Sequence, residues 1–273
     1  MTKTNINQNI NHTNKNWSDI LDFVAIFSWS LLLFKYWLTG QLNLLIHPNY
    51  FLLVLVSSIV LFLLAIGKLF LIINNYRPQS SWSTNNQTGQ QTTLLPKGWS
   101  ASLLTIVAVA GLIINPKVLN SQSAMQRGIS DSLPPTTVQT QSFLTTTPPE
   151  QRSLIEWVRT LNVYPEPDNY TNQKANLTGF VVHLNQLPDN YIYLSRFVLT
   201  CCAVDAYPVG IVVKMPESRT QFPIDSWLKV EGVMETETLP SLDPKSRRKE
   251  QRQLVLKALQ ITTIPTPKNP YSY

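Results

Sequence analysis

The chain has 273 residues, 14% of them charged and 44% hydrophobic, with a net charge of +6; this length accommodates one sizeable domain and a further element. Its two cysteines allow at most one intramolecular disulfide, which excludes a disulfide-stapled secreted scaffold. Eight basic residues against three acidic precede residue 150, and the balance is nearly even after it, so the basic surplus points to a membrane before a nucleic acid.

A polar, Asn-rich leader (1–19) precedes three apolar segments, "ILDFVAIFSWSLLLFKYWLT" (20–39), "PNYFLLVLVSSIVLFLLAIG" with its apolar continuation (48–73), and "GWSASLLTIVAVAGLII" (98–114). Each approaches the roughly 17–25 residues that cross a bilayer, which predicts a three-span membrane domain over 20–115. Lys35 lies a turn from the end of the first segment, where snorkelling to the interface is expected. The leader (Lys3, Lys15) and the second loop (Lys68, Arg77, Lys97) carry the basic residues, and the short loop "GQLNLLIHP" carries none. The positive-inside rule then predicts a multi-pass protein of the bacterial inner membrane, with its N-terminus cytoplasmic and everything after about residue 115 outside. His47, in that short loop, reads as a turn histidine before proline or as a partner contact.

Residues 77–97 read as a flexible loop and 116–149 as a Pro/Thr/Ser-rich stalk. "QRSLIEWVRTLN" (151–162) has a helical period. Five strand-like runs follow, at 176–184, 191–201, 208–214, 227–234 and 253–261. They predict a mainly antiparallel, five-stranded OB-like β-barrel over 150–264 behind a short leading helix, ahead of a tail at 265–273; a sandwich is the alternative.

"LTGQLNLLIHPNYF", "NPKVLNSQSAMQRGI", "LTGFVVHL", "LSRFVLTCCAVDAYPVGIVV" and "DSWLKVEGV" together resemble the YcgQ-like family of bacterial membrane proteins, described as permease subunits. The resemblance implies an accessory role beside a separate multi-span permease.

Chemistry concentrates at Cys201 and Cys202. Neighbours in a regular strand face opposite ways, so the pair converges only where the strand ends or bulges, and Asp205, Pro208 and Gly210 supply such a break. Cys201, Cys202 and Asp205, completed by His183, would then offer soft ligands to zinc, copper(I) or a trivalent metalloid. One buried and one loop cysteine, or a strained vicinal disulfide, are the other readings. Arg196 reads as a supporting cation or a strand-surface charge. The run "KSRRKEQR" (245–252), with Arg247 and Arg248, reads as a solvated loop facing anionic lipid or a partner; an OB-type nucleic-acid site is the alternative if the domain is cytoplasmic. No Gly-rich phosphate loop, HExxH, GxSxG or CxxC occurs, so a non-enzyme is expected. The resulting expectation is an accessory permease subunit whose external β-domain binds a soft ion, with a free-standing metal- or thiol-binding module as the alternative.

Overall fold

The structure, a computed structural model, describes residues 3–75, 99–129, 147–242 and 249–273. The loop expected at 77–97 and the stretch 130–146 of the expected stalk lie outside these residues. The chain divides into two units, Met1–Pro116 and Lys117–Tyr273.

The first unit holds α1 (Lys3–Leu38), α2 (Phe51–Asn75) and α3 (Trp99–Ile113). Within it, Asp19–Leu38 and Pro48–Asn74 are long and apolar enough to cross a membrane. Their apolar side chains point outward, not into a core: Leu52, Phe70 and Ile73 of α2 stand 71%, 66% and 61% exposed. The third expected segment forms α3, whose 15 described residues make about 22 Å of helix beside a hydrocarbon core of roughly 30 Å; residues 76–98 before it lie outside the described ones.

Small and polar residues join these helices, as they do where lipid removes a hydrophobic drive between them. The hydroxyls of Ser30 and Ser58 each donate to the other residue's carbonyl at 3.0 Å. Lys68 Nζ lies 2.6 Å from an Asp22 carboxylate oxygen. Trp29 Nε1 donates to the Leu104 carbonyl and Tyr36 Oη to that of Gly111. Both pairs keep one sequence offset, so α3 runs parallel to α1.

The second unit begins with α4 (Ser121–Arg127), a helix within the segment expected as stalk, followed by α5 (Leu154–Val163). Ser153 and Glu156 close a capping box at the start of α5, which satisfies otherwise orphaned amides. Its apolar face, with Leu154, Trp157 and Val158, is buried against the sheet.

The strands are β1 (Lys174–Val182), β2 (Tyr191–Val198), β3 (Tyr207–Lys214), β4 (Trp227–Pro240), β5 (Glu250–Ile264) and β6 (Tyr271–Ser272). They form a mixed six-stranded sheet in the order β1-β4-β5-β3-β2-β6, with a further pairing of β1 to β2. This corrects the five-stranded OB-like barrel expected from strand spacing, and the sandwich alternative with it, while four of the six pairings among the described residues are antiparallel, as expected. The physical reason lies in the long partners: β4 and β5 pair antiparallel along their length, which sends β5 past β3 in parallel. The tail then adds β6 in parallel to β2, with Phe197 opposite Tyr271.

The β4–β5 ladder shifts register at Glu231/Gly232. A Cβ at Gly232 would lie 2.1 Å from the Lys257 carbonyl oxygen, so this crossing admits only glycine without backbone movement. Gly232→Ala is expected to destabilise the unit by about 1–3 kcal/mol, read as a lower thermal midpoint by circular dichroism.

Candidate metal centre

β2 ends at Val198 and β3 starts at Tyr207, so the cysteine pair occupies the connecting loop, off the ladder. Pro208, which has no N–H to donate, pairs with Phe197 at the mouth of this hairpin. The loop organises itself around one carboxylate. Asp205 Oδ2 accepts from Thr200 Oγ1 at 2.5 Å and from the Cys201 amide at 2.8 Å, and its Oδ1 accepts from the Cys202 amide at 3.0 Å. The Asp205 amide returns a bond of 3.1 Å to the Cys202 carbonyl. This is a side-chain-closed turn of the kind aspartate favours.

Both ends of the loop are fastened. The Leu199 amide donates to the Ser272 carbonyl at 3.0 Å. Arg127, from α4, donates through one Nη1 to the carbonyls of Ala203 and Ala206, and its guanidinium lies 6.0 Å from the centre of the Phe197 ring.

Within that frame the two Sγ atoms stand 3.8 Å apart, and the ligand atoms of Cys201, Cys202 and Asp205 all lie within 4.8 Å of one another. Two thiolates on one tetrahedral zinc, at roughly 2.3 Å each, sit at the corners of an edge of about 3.8 Å. Cys201 is exposed, while Cys202 and Asp205 are half-buried. This donor set can hold a soft metal ion.

The electrostatics follow from the same hydrogen bonds. The Cys201 thiol is pushed up to about 11, first by its hydrogen bond to Asp205 and then by Cys202. Partial burial acts to raise the Asp205 carboxyl, but the bonds from Cys201, Thr200 and the two amides outweigh it and hold it at about 2. The carboxylate's contribution to the folded loop is therefore complete above the ordinary aspartate range and is lost as the pH falls through about 2. Asp205→Asn removes the charge that holds the Cys201 proton. Iodoacetamide alkylation of Cys201 at pH 8, located by fragment mass spectrometry, is expected to accelerate at least about ten-fold in that variant, because only the thiolate reacts.

The remaining sequence candidates lie elsewhere. His183 stands just beyond β1 with its Nε2 3.0 Å from the Phe222 carbonyl; burial lowers its pKa, and it does not join the ligand group. Arg196 donates to the carbonyls of Asn269 (2.6 Å) and Pro270 (3.3 Å) and lies over the Trp227 ring, so it fastens the C-terminal segment to β2. His47 Nδ1 accepts from the Asn49 amide at 3.2 Å, at the start of a short turn. Lys35 donates to the Leu112 carbonyl (2.8 Å) and Asn115 Oδ1 (3.1 Å), a cation at the carbonyl end of α3 where the helix dipole favours it. Arg247 and Arg248 lie outside the described residues. Sequence reasoning missed Thr200 and Arg127. The first adjoins the cysteines as a hydroxyl in a turn; the second carries no local signal.

Comparison with known proteins adds an affiliation. Residues 21–130 match the DUF1980 N-terminal domain and residues 150–273 the DUF1980 C-terminal domain. The chain carries both domains of the DUF1980 family. No curated protein matches this DUF1980 chain. Among solved structures, a DUF3299 family protein from Pseudomonas aeruginosa PAO1 is 19% identical over 36% of this chain and 64% of its own, with a TM-score of 0.23. A small single-stranded DNA-binding protein from Streptomyces coelicolor is 7% identical over 34% of this chain and 94% of its own, at 0.21. At such scores neither likeness bears on fold or function. The matched domains are described only as those of DUF1980, which lends no support to the expected permease-subunit and transport role; the expected OB-like barrel is corrected by the six-stranded sheet.

Proposed function

We propose that this DUF1980 chain is a membrane-anchored binding module that holds one soft metal ion through Cys201, Cys202 and Asp205, without need of a permease. The observation that carries the reading is the convergence of two thiols and a carboxylate within 4.8 Å on one fastened loop. Two thiolates select a borderline or soft ion over calcium or magnesium, and the module binds rather than catalyses.

The anchor is the pair α1 and α2, and lipid is the surface it meets. The basic residues of the leader orient α1 with its N-terminus in the cytoplasm. Because α3 runs parallel to α1 and Lys35 grips its carbonyl end, the chain leaves this unit at the level of the far end of α1. That favours an external position for the metal loop, and labelling of Cys201 in intact cells by a membrane-impermeant maleimide is expected.

The metal reading is tested on the full chain, purified in detergent and stripped of metal. Titration against a chromophoric chelator with zinc(II), and separately with copper(I) under anaerobic conditions, is expected to give one ion per chain for at least one of the two. Failure to compete for either ion would end this reading.

A further inference from the structure

The geometry points to an incomplete coordination shell, in which the bound ion takes its fourth ligand from the thiolate of another molecule. This inference rests on the metal reading above and adds the chemical class of a ligand to it. A tetrahedral ion needs four donors, and the loop supplies three. The chain has no third cysteine, and His183, the only histidine after residue 47, is turned to the Phe222 carbonyl. Among the described residues no other carboxylate joins the group.

The open position is reachable. Cys201 is exposed, and Val204, at the tip of the loop between the thiols and the carboxylate, is 86% exposed. A closed structural site would instead surround its ion with four protein ligands. Asp205 cannot swing to fill a second position without breaking bonds, since its two oxygens already accept from Thr200, Cys201 and Cys202. Water is the default occupant, and an ion selected by two thiolates prefers a third sulfur to water. The Arg127 guanidinium, bonded to two carbonyls of the same loop, supplies positive charge that offsets the added anion. In the exchange the metal–water bond breaks, a metal–sulfur bond forms, and the incoming thiol releases its proton to solvent. Such a ligand is either a small free thiol or one cysteine of a second copy.

Cobalt(II), added to the metal-free full chain in detergent with a phosphine as the only reductant, reports the number of sulfurs by its sulfur-to-metal charge-transfer absorbance. The expected result is a two-sulfur signal in a monomer that rises about 1.5-fold when glutathione is added, as a third thiolate replaces water. A three-sulfur signal in a metal-dependent dimer before any thiol is added would support the inference with a second copy as the source, whereas a four-sulfur signal would mean that Asp205 is displaced and would overturn it. A monomer whose spectrum is unmoved by saturating glutathione overturns it while leaving the metal centre intact. Absence of any cobalt uptake overturns the metal centre itself, and this inference with it.

Discussion

Replacing Cys201 and Cys202 together by serine is expected to lower the affinity for zinc(II) or copper(I) by about 10³-fold or more, because the two thiolates are the donors that make the site soft. Serine leaves a neutral hydroxyl at each position, and the surviving Asp205 carboxylate offers a single hard ligand. The loop itself should persist. Its closure uses the amides of residues 201 and 202, the Thr200 hydroxyl and the Asp205 carboxylate, none of which the substitution removes. Cys201 is exposed and Cys202 only half-buried, so little packing is lost. Loss of metal with unchanged circular dichroism and an unchanged thermal midpoint is the expected pair of results. Retained stoichiometric binding would show that the ion is held elsewhere.

The largest effect on stability is expected at Trp157. It is fully buried on α5, meets Tyr170 edge-on with ring centres 5.9 Å apart, and carries the Arg152 guanidinium over its face at 5.1 Å. Trp157→Ala should cost about 3–5 kcal/mol, the sum of lost burial and the cavity left behind, and most of a small domain's stability would go with it. The indole Nε1 has no hydrogen-bond partner among the described residues, and a buried unpaired donor is itself a cost. Trp157→Phe removes that donor while keeping an aromatic ring, so its loss should be well below that of alanine. Denaturant unfolding of the two variants checks the order; a loss for phenylalanine equal to that for alanine would contradict the assignment of the stability to aromatic packing.

Local chemistry was the part of this fold open to sequence reading. The period of Leu154, Ile155 and Val158 marks α5, because helix periodicity is short-range. The break at Asp205 and Pro208 was legible for the same reason, and the site depends on it. What escaped was long-range. β6 is two residues long, too short for any alternation to declare it, and strand direction is decided by which neighbours the long β4–β5 ladder leaves available. Arg127 lies 76 residues before Ala203, where no spacing rule links it to the cysteines. His183 was attractive as the lone nearby histidine, yet its ring is committed to a backbone carbonyl. The third apolar segment is legible as a helix, and the described residues carry it over Trp99–Ile113.

The claim on which everything rests is that both thiols bind as thiolates. A thiol that becomes a ligand must give up its proton, and for Cys201 that proton is held tightly by Asp205. Calorimetric titration of the full chain with zinc(II) at neutral pH, repeated in buffers of different ionisation enthalpy, counts the protons released per ion. Release of about two protons is the predicted result; an ion bound with none released would contradict the account.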